Sequence, residues 1–265
     1  KFVPVYWLGS EDHDFQEINH TYVFGKKVEW NGQPMGAVGA MKSERLKKTI
    51  EELEDILGGS EEAQQLIAIF RNAYLQHKNM AEATRYLINT LFGEYGLVVV
   101  DGDDADLKRE FLPIMQSDIF SATTKELVGA RVQELEQHGY FHQAYVRDIN
   151  LFYMKDGFRE RIEYHEGNED YEVLNTHLYF SEEALREELQ SHPGCFSPNV
   201  ILRPLYQEFL LPNVAYVGGA GELAYWLELE TLFEHHKINF PMLVLRNSLV
   251  WIDGNTSRKM QSLGV

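Results

Sequence analysis

The chain is poor in cysteine and in positive charge. Cys195 is the one cysteine among 265 residues. That excludes an internal disulfide and a cysteine-rich zinc site, and it fits a reducing, cytoplasmic home. Lys and Arg number 24 against 41 Asp and Glu, for a formal net charge of −17. A general nucleic-acid binder needs a basic excess to neutralise phosphates, so that class is excluded, whereas a small anion held by a few local arginines is not. No apolar run approaches the roughly 18 residues of a membrane span. A cleavable leader is not expected either, because Lys1 runs directly into a strand-like segment. That early strand suggests a chain cut from a longer protein.

What is present is enough to build a core. Hydrophobic residues make up 44% and aromatics 12%, which excludes intrinsic disorder for most of the chain. The length fits one large α/β domain, or a core with one inserted subdomain.

Phe2 to Leu8, Gly96 to Val100, Asn213 to Val217 and Met242 to Arg246 read as strands buried on both faces, the parallel-sheet kind. Between them lie helical stripes: Leu46, Ile50, Leu53 and Leu57; then Ala63, Ile67, Phe70 and Tyr74, capped by Ser60; then Met80, Thr84, Leu87 and Leu91. Lys26 to Gly36, around Asn31-Gly32, predicts a hairpin. Ala144 to Met154 and Phe158 to Tyr164, joined by Asp156-Gly157, predict another. Ser181 caps a helix to about Gln190, and Ala220 to His236 predicts a further helix. Ser197 to Pro212 reads as irregular. The fold class expected is α/β, a mostly parallel sheet core with helical and β-hairpin insertions. The segments are core at 1–42, a helical insert at 43–95, a core strand with helices at 96–138, a β-rich connecting insert at 139–196 and the last core part at 197–265.

In open parallel sheets, ligands sit beyond the carboxyl ends of strands. Those ends here carry Ser10-Glu11-Asp12-His13-Asp14, Asp101-Gly102-Asp103-Asp104, Gly218-Gly219-Ala220-Gly221-Glu222, and Arg246 with Ser248. His13 between Asp12 and Asp14 suits a general base whose tautomer a carboxylate fixes; the alternative is a capped helix start with a solvated imidazole. A metal reading through His13 and His20 lacks a compact ligand framework. Gly218, Gly219 and Gly221 suit close backbone approach of an anion to a helix start, or simply a tight strand-to-helix turn. This spacing is not the dinucleotide fingerprint. Glu222 either offsets the helix dipole or orients a substrate amine. Arg203-Pro-Leu-Tyr206-Gln is read as a compact loop whose Arg203 and Tyr206 suit carboxylate or phosphate recognition, or else balance a structural carboxylate. Arg246 and Ser248 read as an anion site or as a plain strand end. Asp101, Asp103 and Asp104 form an acidic loop better suited to helix capping, and Cys195 reads as structural.

Four segments together resemble the bacillithiol biosynthesis cysteine-adding enzyme family. They are Val3-Pro-Val-Tyr-Trp-Leu with Ser10 to His20; Leu97-Val-Val-Val-Asp-Gly-Asp-Asp104; Ser197-Pro-Asn-Val-Ile-Leu-Arg-Pro-Leu-Tyr-Gln207; and Leu211-Pro-Asn-Val-Ala-Tyr-Val-Gly-Gly-Ala-Gly-Glu-Leu-Ala-Tyr-Trp226. The similarity runs in order through nearly the whole chain. It implies a Rossmann-like core, similar to class I aminoacyl-tRNA synthetases and nucleotidyl transferases. It also implies a cytoplasmic ligase that joins cysteine to the amine of glucosaminyl malate, with no certain cofactor and ATP as a candidate. The family's earlier Gly-Gln-Gln and Gly-Pro-Leu-Tyr region and its C-terminal coiled coil, used for homodimerisation, are absent here. The chain therefore corresponds to a middle, core portion. Small molecules are the expected partners, not nucleic acid or a membrane. Two other classes stand beside the ligase: a non-catalytic Rossmann-like module that binds a sugar acid or nucleotide, and a metal-dependent hydrolase built on Asp12, His13 and Asp14.

Overall fold

In the computed structural model, which describes residues 2–33, 36–155 and 157–264, eleven strands and their helices form an α/β protein. The strands are β1 (Val5–Leu8), β2 (His20–Val23), β3 (Lys26–Glu29), β4 (Val98–Asp101), β5 (Leu151–Lys155), β6 (Phe158–His165), β7 (Asp170–Val173), β8 (Leu178–Phe180), β9 (Phe196–Pro198), β10 (Ala215–Gly218) and β11 (Met242–Leu245). The four continuous apolar runs pair in parallel, but they are not buried on both faces as expected: Val5, Val98, Val217, Met242 and Leu245 are exposed, because each pair lacks neighbouring strands among the described residues. β1 lies on β4 with Leu8 opposite Asp101, and β10 lies on β11 with Gly218 opposite Leu245. Among the described residues these remain two separate two-stranded units. The largest sheet is antiparallel, in the order β8-β7-β6-β5-β9. The expected predominance of parallel pairing is therefore not met, because short turns join β5 to β8 and force neighbouring strands to reverse.

Three local readings change. The first hairpin is β2–β3, closed at Phe24-Gly25 rather than at Asn31-Gly32. Both turn residues have positive φ, 49° and 77°, the two-residue geometry that matches strand twist. In the β5–β6 hairpin, Asp156 lies outside the described residues, while Gly157 has φ 89°. The segment read as irregular contains β9 and a helix, Leu202–Leu210. The Asn199 side chain accepts the backbone N–H groups of Ile201 and Leu202, at 2.8 and 3.3 Å. Pro204 then falls in the first turn, where a missing N–H leaves no bond unmade. The helix from Ala220 also divides, into Ala220–Leu227 and Glu230–His235.

The main core joins the inner face of the five-stranded sheet to helices Leu112–Phe120, Glu182–Ser191 and Leu202–Leu210. Tyr153, Phe196, Leu205 and Tyr206 are fully buried there, each apolar side chain contributing on the order of 1.5–3 kcal/mol. Trp7 of β1 packs edge-on against Tyr206, with centroids 5.3 Å apart. Through that contact the β1–β4 pair docks on the helix Leu202–Leu210. A second core gathers Phe15, Trp30, Met41, Leu46 and Ile50 under helices Lys47–Leu57 and Glu61–Gln76. No helix among the described residues is long and apolar enough to cross a membrane.

Candidate active site

The loop after β1 is held from several sides. Ser10 Oγ donates to the Asp101 carboxylate at the end of β4. The turn Val38–Ala40 gives Gly39 N–H to Ser10 O at 2.8 Å and Val38 N–H to Asp12 O at 2.6 Å. A Cβ on Gly39 would meet Ser10 Cβ at 2.5 Å, so this close approach requires glycine. Beneath the loop, Lys108 is fully buried, with Nζ 2.7 Å from Glu11, 2.6 Å from Asp103 and 3.1 Å from Gly194 O. The Glu11 contact is an ion pair without an aligned hydrogen bond. Burial raises the Glu11 carboxyl above its ordinary value, more than Lys108 lowers it. Burial also opposes the Lys108 charge, yet Glu11 and Asp103 outweigh it and hold the ammonium above its usual value.

Asp12, His13 and Asp14 line a cavity of about 540 Å³ that also includes Arg203. The expected steering of His13 by a carboxylate is replaced by another contact. Asp12 Oδ1 accepts the backbone N–H of His13 at 2.7 Å and of Asp14 at 3.3 Å, and it stands 3.7 Å from the ring Nδ1. The imidazole's partner is Arg159 of β6, whose Nη1 lies 2.8 Å from His13 Nδ1. A guanidinium only donates, so Nδ1 accepts and the neutral ring carries its proton on Nε2. Arg159 is itself fixed by Ser197 Oγ at 3.0 Å and Pro198 O at 3.3 Å, and it lies 3.9 Å above the Phe152 ring. Burial lowers the Arg159 pKa from its usual value, with the nearby carboxylates of Glu11, Asp12, Asp14 and Asp103 acting in the opposite direction. The assembly suits an oriented N–H donor aimed at developing negative charge.

The cavity carries both signs of charge. Glu11, Asp12 and Asp14 line it together with Arg147, Arg159, Arg161 and Arg203, and Trp7, Ile149 and Phe152 supply apolar surface. Strand alternation puts Arg159 and Arg161 on one face of β6, and Phe152 faces Arg161 in register. Arg147, Arg159 and Arg161 were not singled out in the sequence. The signal was there: two arginines at i and i+2 in a strand of a chain short of basic residues.

The remaining predicted residues lie outside this cavity's wall. Tyr206 is fully buried and gives its hydroxyl to Gly102 O at 3.2 Å. Gly218, Gly219 and Gly221 sit where β10 turns into its helix. Gly219 N–H is engaged by Glu222 at 2.7 Å, and Glu222 also accepts Tyr216 OH at 2.7 Å. Burial works against the Glu222 charge, but Gly219 and Tyr216 outweigh it and hold the carboxyl below its usual range. Arg203 donates to Tyr216 OH at 3.4 Å and to Gln207 at 3.2 Å. The glycine turn is thus tied to the cavity through Arg203–Tyr216–Glu222, one layer behind its wall. Arg246 is exposed, with its guanidinium passing over Gly219, and Ser248 is exposed beyond β11. Asp101, by contrast, serves the β1 loop, and Asp104 caps helix Ala105–Glu110. Among the described residues no group of three or more His, Cys, Asp or Glu is arranged to hold a metal, so the hydrolase reading has no geometric support.

Asn150 braces the cavity from below. Its side chain bonds Arg147 N–H at 3.0 Å, Arg147 O at 2.9 Å and Asn199 at 3.1 Å, and it donates to buried Asp118 at 3.0 Å. Burial pushes the Asp118 carboxyl up to about 6, against the opposing pull of Asn150 and Thr124. The folded protein therefore keeps a proton that the unfolded chain has released. Stability from this residue is present below about pH 4 and falls as pH rises to about 6, by roughly 3 kcal/mol in full. Urea unfolding at intervals across this range should show the decline, and Asp118→Asn should remove that part of the slope. A slope unchanged by the substitution would refute the assignment.

The model of the bacillithiol biosynthesis BshC N-terminal Rossmann-like domain matches residues 1–247. The chain is 46% identical over 264 residues to a Flavobacterium psychrophilum protein named "Putative cysteine ligase BshC", covering 100% of this chain and 49% of that one. A Flavobacterium johnsoniae protein of the same name is 45% identical, with the same two coverages. A Salinibacter ruber protein, also so named, is 30% identical over 99% of this chain and 50% of its own length. The chain spans about half the length of the curated relatives it matches.

Proposed function

The chain belongs to the bacillithiol biosynthesis BshC family through its N-terminal Rossmann-like domain, and on that premise we propose that it carries the amide-forming site of a cysteine ligase. The observation that carries this reading is the bond of Arg159 to His13 inside a cavity lined by both carboxylates and arginines. The amine acceptor is glucosaminyl malate and the acyl donor is cysteine with an activated carboxyl group. The neutral sugar nitrogen attacks the acyl carbon, the C–N bond forms, the activating group departs with the electron pair of its bond to that carbon, and the nitrogen gives its proton to solvent water. His13, through Nε2–H, stabilises the oxyanion that develops on the acyl oxygen. Asp12 and Asp14 attract the sugar ammonium before it deprotonates. Arg203 is a positioning residue that couples the cavity to the glycine turn. We read the β1–β4 and β10–β11 pairs as parts of one Rossmann-like core of the complete protein, which works as a homodimer.

The test is direct. Full-length protein is incubated with cysteine and glucosaminyl malate, with and without ATP, and the thiol product is sought by mass spectrometry. The expected product has the combined mass less one water. Binding of the sugar acid with no product under either condition would favour a binding module instead.

A further inference from the structure

We propose that Arg147 and Arg161 form a clamp for a dicarboxylate group on the amine substrate. The inference rests on the ligase reading and adds a binding site to it. Three observations lead to it. First, the 540 Å³ cavity adjoins one of about 310 Å³, and both are lined by Arg147, Ile149 and Arg161.

Second, these guanidiniums are unpaired in a chain rich in acid. Arg71, Arg85, Arg109, Arg131 and Arg186 each meet a carboxylate. Arg147 and Arg161 meet no carboxylate or other acceptor among the described residues. In the smaller cavity, Asp148 is taken by Lys125 at 2.5 Å, and Glu163 also lines it.

Third, the backbone under each arginine is rigidly placed while its head is free. Arg161 is fixed by β6 pairing opposite Phe152. The Asn150 side chain holds both the N–H and the C=O of Arg147. Free guanidiniums bind carboxylates in two-pronged fashion. Two of them bordering the same cavity fit two carboxylates on one ligand. The carboxylates of Asp12 and Asp14 in the same cavity then receive the ammonium of that molecule.

The experiment uses the full-length enzyme and its Arg147→Gln, Arg161→Gln and double variants, with the conservative Lys variants as folding controls. Steady-state kinetics are measured with glucosaminyl malate and with methyl glucosaminide, which has no carboxylate. KM for glucosaminyl malate should rise about tenfold or more in each Gln variant, and further in the double variant. KM for cysteine, KM for methyl glucosaminide and kcat should move by less than about threefold. An unchanged KM for the sugar acid, an equal rise for both amines, or a rise confined to cysteine or ATP would overturn the clamp. If the wild type makes no product, the ligase reading has failed. Calorimetric binding of glucosaminyl malate then decides the clamp separately: about tenfold weaker binding by the Gln variants supports it, and equal binding overturns it.

Discussion

Lys108→Met should destabilise the protein by about 3–5 kcal/mol. Lys108 has no exposed surface, and it faces Glu11 and Asp103 at 2.7 and 2.6 Å. Met preserves most of the volume, so the loss is electrostatic. It leaves Glu11 buried beside a second carboxylate with no nearby ammonium. The neutralised pair Glu11→Gln with Lys108→Met should recover a large part of that loss, because both the buried acid and its partner are then gone. Denaturant unfolding of the three variants checks this. Equal stability of Lys108→Met and the wild type would mean that the triad does not organise the loop that carries His13.

His13→Ala should lower kcat/KM for ligation by about 10²–10³-fold, the usual effect of removing one oxyanion donor. His13→Gln separates the two roles open to an imidazole. A glutamine amide can donate a hydrogen bond but cannot take a proton at neutral pH. Activity of the Gln variant about tenfold above the Ala variant supports the donor assigned from the Arg159 contact. Equal loss in both would restore the general-base role. Arg159→Lys should also lose activity by roughly 10–10²-fold, since a lysine cannot reach Ser197, Pro198 and His13 together and the ring loses its fixed orientation.

Much of the frame was legible because its signals are local. Four uninterrupted apolar runs announced the strands that pair in parallel, and the carboxyl-end rule then pointed to Asp12, His13 and Asp14. Ser60 and Ser181 capped the helices they preceded. Pro204 concealed a helix because proline usually ends one, yet here it occupies the first turn. The glycine turn read equally as an anion site or as a plain strand-to-helix turn. Its Gly219 amide is already taken by Glu222, a choice of internal over external partner that spacing does not reveal. The arginines were missed for a different reason. Arg159 is 146 positions from the His13 it orients, and only the docking of the antiparallel sheet against the β1 loop brings them together. Lys108 was hidden in the same way, as a charge on a short helix whose partners lie on two other loops.

The central claim is that the cavity beyond β1 and β4 seats the amine substrate, with its carboxylates taking the amine and its arginines the acid groups. The most direct test is a crystal structure of the full-length enzyme with glucosaminyl malate bound. The account predicts the sugar nitrogen facing the Asp12–Asp14 loop, close to His13 Nε2, with both carboxylates directed at Arg147 and Arg161. A ligand seated at the Gly218–Gly221 turn, with the His13 cavity holding only water, would contradict it.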